Sequence, residues 1–302
     1  MYTSGWPNTQ NRCCHSTGSP PAAHIAYVDG KYLPHGRATV HIEDRGLQFA
    51  DAVYEVCMVM AGVLFDERAH LDRLGRSLHE LRMAMPMCRA SLQIVLREVI
   101  RRNRVVNGFV YLQVTRGAAR RDHFIPPNAR STLIVTARPF DAAAIEKRRG
   151  EGVAIISTPD IRWGRCDIKS TALLPNVLAK SMAHDKGAYD VWFVDRDGKV
   201  TEGGSTNAWI VTAQGTAITR TLGHDILPGV TRAAILSALK DEGIAVEIRS
   251  FGLQEACSAR EAFISSATAG AMPVVSIDGQ AVGNGHPGSV AARIHSAYLR
   301  AA

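Results

Sequence analysis

Two hydrophobic periods alternate along this chain. Short runs rich in Val, Ile and aromatic residues, bounded by Gly, Pro or Asp-Gly, predict strands, whereas segments whose leucines recur every three or four residues predict helices. AYVDGKYLP reads as two extended pieces around Asp29-Gly30, a dipeptide suited to a tight hairpin. A β-rich run from Val53 to Met60 follows, then an Ala61-Gly62 turn and a returning strand. From Asp66, a candidate N-cap, Leu71, Leu74, Leu78 and Leu81 mark an amphipathic helix, with Arg73 just off the apolar stripe. A second helix is predicted over Ser91 to Asn103, and the strands GFVYLQVT and STLIVTARPF come after it.

DAAAIEKRRGEG is polar and ends in Gly, which places an inter-domain connection at 144–150. Beyond it, VAIISTP predicts a strand, and Leu173, Leu174, Val177, Leu178 and Met182 mark one face of a helix with Pro175 in its first turn. VWFVDRDGKVT is a hairpin around Asp-Gly, and AWIVTAQGTAI is another strand pair. A helix from about Thr231 stops near Gly243, and a strand follows. The expected fold is α/β, in the α+β two-domain sense, with a smaller domain over 24–143 and a larger one over 151–302. Residues 1–23 are polar, rich in Ser, Thr, Pro and Gly, and read as a disordered extension without the pattern of a signal peptide.

Composition changes this picture little. With 302 residues and 46% hydrophobic content, the chain can bury a large core, and no apolar run reaches the roughly 18 residues that span a bilayer. The formal charge of +7 permits an anionic partner, but RRNR at 101–104 and KRR at 147–149 are its only basic clusters, and no aromatics interleave them. No nucleic-acid or membrane partner is expected. The six cysteines form no CxxC pair or metal-ligand spacing, so we expect no metal site and a reducing, cytoplasmic setting. No GxGxxG follows a strand predicted from the sequence, and the P-loop and GxSxG are absent.

The candidate chemistry centres on DIRWGRCDIKSTALLPNVLAKSMAHDKGAYDVWFVDRDGKVTEGGSTN, residues 160–207. Lys169 falls at the junction of an extended run and a helix, and Glu202 returns one hairpin later. A partly desolvated lysine amine can act as a nucleophile or Schiff-base former, and a carboxylate can hold a positive charge opposite it. Val230 and Thr231 open a helix whose free amides could receive an anion. Arg121 and His123, two residues apart, project the same way in extended backbone and offer two donors to one carboxylate.

The wording of RCDIKSTALLPNVLAK and VTEGGSTNAWIV resembles the fold-type IV pyridoxal 5'-phosphate enzymes, most closely the D-amino acid aminotransferases, and the resemblance runs from about Ala26 to the C-terminal region. It implies that Lys169 carries the cofactor covalently and that Glu202 pairs with its protonated pyridine nitrogen. Arg73, Val230 and Thr231, with Ser266, Ala267 and Thr268 of FISSATAGAMPV, become the phosphate site, and Leu227 packs on the ring. Tyr54, Tyr111, Arg121 and His123 become the substrate side, the RxH pair binding the α-carboxylate. The family's homodimers lend RxH across the interface.

Three features depart from the family pattern. Ala50 and Ala52 stand where glycines are common, so a positive φ at either would be strained; SSATAGA lacks a usual hydroxyl-hydroxyl-x-Glu arrangement; and Leu47 replaces a frequent aromatic. The expected reaction is transamination of D-amino acids, with D-alanine and 2-oxoglutarate as reference pair. Branched-chain L-amino acid transaminase, (R)-amine transaminase and aminodeoxychorismate lyase are rivals of the same fold type. A basic, non-enzymatic binding protein is the alternative of another class.

Overall fold

The computed structural model describes residues 24–301, so the extension expected at 1–23 lies outside the described residues. The first half builds a six-stranded sheet from β1 (Ile25–Val28), β2 (Lys31–Pro34), β3 (Ala52–Met60), β4 (Val63–Leu64), β5 (Gly108–Thr115) and β6 (Thr132–Pro139). Helices α1 (Arg45–Phe49), α2 (Glu67–Glu80) and α3 (Arg89–Asn103) interrupt it. Its order is β2-β1-β6-β5-β3-β4, all pairs antiparallel. Asp29 and Gly30 both take positive φ, as do Ala61 and Gly62, so each dipeptide closes the hairpin expected of it. Leu71, Leu74 and Leu78 of α2 and Leu92, Leu96 and Val99 of α3 pack on Val53, Val110, Leu112 and Val135.

The second half builds a nine-stranded mixed sheet. Helix α4 (Ala142–Glu151) leads into β7 (Val153–Pro159), α5 (Leu174–Asp185), β8 (Asp190–Val194), β9 (Val200–Gly203), β10 (Asn207–Val211) and β11 (Ala217–Thr219). Then come α6 (Val230–Asp241), β12 (Val246–Ile248), α7 (Leu253–Cys257), β13 (Glu261–Ser266), β14 (Gly270–Ile277), β15 (Gln280–Ala281) and α8 (Ser289–Ala301). The order is β12-β11-β10-β13-β14-β7-β8-β9, with β15 on β14. One face carries Trp209 and Phe263, rings stacked at 5.3 Å, beneath α6 and α8; the other buries Trp192 against Phe251.

Some expectations meet corrections. The segment 144–150 lies within α4, because the side chain of Asp141 accepts from the amide of Ala144 and starts a helix there. Asp66 occupies the N-cap of α2 in left-handed backbone without capping it, and its carboxylate instead accepts from the hydroxyl of Tyr298 at 3.1 Å. The leucine face of α5 points outward: Leu174, Val177 and Leu178 are 68%, 55% and 49% exposed, and the helix buries Ala179 and Ala183 instead. Thr231 sits inside α6 rather than at its cap, which is Gly229. The basic clusters are largely paired, Arg101 and Arg102 with Glu98 at the surface, and Arg149, whose side chain is mostly covered, with Glu146 and the carbonyls of Ala269 and Ala271. Among the described residues, no helix is long and apolar enough to cross a membrane.

Candidate active site

Three hydrogen bonds tie the segment around Lys169 to β3 and α2. The amide of Tyr54 donates to the carbonyl of Lys169 at 2.9 Å, the amide of Thr171 donates to the carbonyl of Ala52 at 3.1 Å, and the amide of Lys169 donates to Oγ of Ser77 on α2 at 3.3 Å. Strand β3 and helix α2 thus fix the lysine backbone from two sides, although Lys169 sits in the β7–α5 connection and not at a strand end. Its Nζ lies 4.2 Å from the centroid of the Tyr54 ring and makes no hydrogen bond among the described residues.

The cavity beside it is lined by Tyr54, Arg73, Lys169, Glu202, Leu227, Val230, Thr231, Ser266, Ala267 and Thr268, so every residue expected to hold the cofactor meets there. Arg73 is buried rather than solvated. Its Nε and Nη2 donate to the two oxygens of Glu55 at 2.8 and 2.7 Å, and its Nη1 donates to the carbonyl of Pro228 at 3.1 Å, just before α6. Burial pushes the Glu55 carboxyl up, but Arg73 and His70 outweigh it and hold it down at about 2. These bonds use three N–H groups of the Arg73 fork and leave two for another acceptor.

Across from Arg73, α6 opens at Gly229 with no side-chain cap, and the buried Oγ1 of Thr231 has no hydrogen-bond partner among the described residues. Free amides, an orphan hydroxyl and a guanidinium together form an anion site. Ser266 and Thr268 face each other across the β13–β14 turn, their hydroxyls 3.4 Å apart.

Glu202, on β9, is buried. Its Oε2 accepts from Nδ2 of Asn207 at 3.0 Å and from the amide of Leu227 at 2.9 Å, and its Oε1 accepts from Nη1 of Arg162. Burial pushes this carboxyl up to about 7, against Arg162, the Leu227 amide and the charge of Lys169. An anion site, a buried carboxylate and a free amine around one cavity are the three groups that pyridoxal phosphate requires, for its phosphate, its ring nitrogen and its aldehyde carbon. The residues present fit the cofactor.

The substrate-side residues are only partly assembled. Tyr54 lines the cavity, whereas Tyr111 stacks behind it at 5.6 Å and donates to Gln113 at 2.6 Å; burial pushes its phenol up to about 12. Arg121 and His123 are exposed on the β5–β6 connection, packed about Phe49 at 5.1 and 5.5 Å, and do not line the cavity of their own chain.

Residues 52–277 match the family described as class IV amino-transferases. The chain belongs to that family. This class IV aminotransferase is 39% identical over 269 residues to the D-alanine aminotransferase of Bacillus licheniformis, a match covering 89% of this chain and 94% of that protein. It is 36% identical to the D-alanine aminotransferase of Listeria innocua serovar 6a, covering 90% and 94%. Among solved structures it resembles the branched-chain amino acid aminotransferase of Escherichia coli (TM-score 0.85, 25% identity, 93% and 95% covered). It also resembles that of T.th., solved with pyridoxamine 5'-phosphate (TM-score 0.86, 25% identity, 92% and 94% covered). Its architecture is that of fold-type IV.

Several residues of the aminotransferase site escaped the sequence reading. Arg162, itself held by Asp160, and Asn207 donate to Glu202, and Arg73 donates to Glu55, which also bonds to His70. The one available signal was the spacing Asp160-x-Arg162 just after β7, where the Asp160 carboxylate accepts from the backbone amide and the guanidinium of the residue two positions on.

Proposed function

We propose that this chain is a pyridoxal phosphate-dependent transaminase of D-amino acids, with D-alanine and 2-oxoglutarate as its reference pair. One observation carries the reading: Lys169, Glu202 and the anion site of Arg73 and the α6 N-terminus converge on one cavity, in a chain 39% identical to a D-alanine aminotransferase. When bound, the cofactor supplies an electron sink for the charge left at the substrate Cα. The chain does the rest. Arg73, the opening amides of α6 and the hydroxyls of Thr231, Ser266 and Thr268 bind the phosphate, beside Val230 and Ala267, while Leu227 packs on the ring. Glu202 accepts from the ring nitrogen and keeps a proton there. Lys169 would hold the cofactor through Nζ, and as a free amine it would be the base that moves the proton at the substrate Cα.

Arg121 and His123, with Tyr111 behind Tyr54, form the carboxylate clamp. Fixing the α-carboxylate decides which face offers its α-hydrogen to Lys169, and so selects the D hand. Because the RxH pair stands outside its own cavity, we propose a homodimer in which each subunit lends it to its neighbour. The outward apolar stripe of Leu174, Val177 and Leu178 beside the groove of Asn176 and Ser205 supports this reading. A cytoplasmic setting fits the free thiols of Cys57, Cys88, Cys166 and Cys257.

The purified protein with added cofactor should be yellow, and Lys169→Ala should lose the visible band of the lysine-bound form. A colourless wild type would sink the assignment. The solved structures named above are branched-chain enzymes, so D-alanine, L-valine and an (R)-amine should be assayed side by side as donors. Preference for L-valine would overturn the D-specific reading.

A further inference from the structure

The contacts around Glu202 reach one residue further than the cofactor site, and their meaning rests on pyridoxal phosphate binding there. A carboxylate offers about four acceptor positions. Asn207, Leu227 and Arg162 fill three of those on Glu202, which leaves one for a donor arriving from the cavity. The side chain of Arg162 is itself buried and anchored. Its Nε and Nη2 donate to Oδ1 and Oδ2 of Asp160 at 3.0 and 2.7 Å, its Nη2 also donates to the carbonyl of Asp225 at 2.9 Å and to Oγ1 of Thr201 at 3.2 Å, and its face covers the Phe193 ring at 4.5 Å. Two carboxylates therefore share one guanidinium, and the three side chains together carry one negative charge.

We propose that Arg162 is a positioning residue that keeps Glu202 an anionic acceptor for the cofactor ring nitrogen, and that Asp160 sets how much of the guanidinium charge Glu202 feels. A buried carboxyl without a cation takes up a proton, and a neutral acid no longer holds a positive charge on the ring. Glu202 already lies close to that limit, pushed up to about 7 by burial. The opposite fault is also avoided. A guanidinium not shared with Asp160 would press its whole charge on Glu202 and weaken it as an acceptor. Other charged or titratable groups face the pair from every side: Lys169 across the cavity, Arg232 from α6, and Cys166 and Asp225 beside Arg162. None of these four side chains hydrogen-bonds to Glu202, whereas Arg162 does.

The test uses the full chain with Arg162→Gln, Arg162→Lys and Asp160→Asn. In the cofactor-free protein, infrared titration of the protonated-carboxyl stretch, assigned by its disappearance in Glu202→Gln, reads the Glu202 midpoint directly. Arg162→Gln should raise that midpoint by about one pH unit or more, a tenfold shift in the proton equilibrium, Arg162→Lys should restore part of it, and Asp160→Asn should lower it. With cofactor bound, the low-pH limb of the D-alanine single-turnover rate should move with the infrared midpoint, because Glu202 is neutral below it. An unmoved midpoint in Arg162→Gln or in Asp160→Asn, whichever folds by circular dichroism, overturns the proposal. Failure of the wild type to form the visible band instead overturns the cofactor reading, and the infrared midpoint does not depend on that band.

Discussion

Arg73 grips Glu55 with two nitrogens in the wall of the cavity, so its fork is already aimed when an anion arrives. Removing one partner of such a buried pair leaves the other uncompensated, at a cost of about 3–5 kcal/mol. Glu55→Gln should therefore lower the urea-unfolding free energy of the cofactor-free protein by that amount and weaken cofactor binding. The sign with pH is fixed by the shift. Glu55 is held from 4.5 down to about 2, so its contribution is complete above pH 4.5 and is lost as pH falls toward 2. Glu55→Gln should flatten acid unfolding over that window, and an unchanged acid limb would refute the pairing.

Ala50 takes φ 54 and ψ 27 at the end of α1, a left-handed conformation that costs a Cβ-bearing residue about 1–2 kcal/mol over glycine. The larger unfolded-state entropy of glycine offsets part of this. Ala50→Gly should raise stability by about 0.5–1 kcal/mol in urea melts, whereas Ala52→Gly, in the site's β3 strand, should lower it. A loss at position 50 would show that the strain is relieved elsewhere.

Where the sequence reading succeeded and where it failed follows from the range of the forces involved. Periodicity located β3, α2, α3 and the Asp-Gly hairpin because strands, leucine stripes and tight turns are written in local order. It also located α5, but the spacing of Leu174, Val177 and Leu178 cannot say whether a face meets its own chain or something outside it, and these three are exposed. Helix α8 went unread even though Val290, Ile294 and Tyr298 recur at four-residue steps and are buried. Lys169 and Glu202 were legible through wording alone. Arg162 and Glu55 were not, since a charged side chain in a loop or on a strand reads as solvated until the partners that bury it, Asp160 and Arg73, are placed in space.

Glu202 gives the opposite pH signature to Glu55. Its carboxyl is raised from 4.5 to about 7 on folding, so the folded, cofactor-free protein binds more protons than the unfolded chain between those values, and stability falls as pH rises through the window. The shift corresponds to roughly 3 kcal/mol. Glu202→Gln should remove that slope and make the cofactor-free protein more stable than wild type above neutral pH. A cationic ring nitrogen opposite Glu202 would relieve the same penalty, so the rise in Tm on saturating wild type with cofactor should be larger above pH 7 than near pH 5. A pH-independent rise would argue against an ionised pair.

Gly229 is required by space and not by backbone angle, since its φ of -65 suits any residue. A Cβ there would overlap Oδ1 of Asn207, whose Nδ2 bridges Glu202 and the carbonyl of Leu227. Gly229→Ala should therefore act through Asn207, costing about 1–3 kcal/mol of stability and loosening Glu202 as well as the N-terminus of α6. Asn207→Ala alone removes a donor from Glu202. If the clash is the cause, Gly229→Ala added to Asn207→Ala should cost much less than it does in wild type, a coupling that a double-mutant cycle in urea unfolding and cofactor affinity measures. Additive losses would mean that the methyl harms α6 directly, and that the glycine serves the anion site rather than the carboxylate beneath it.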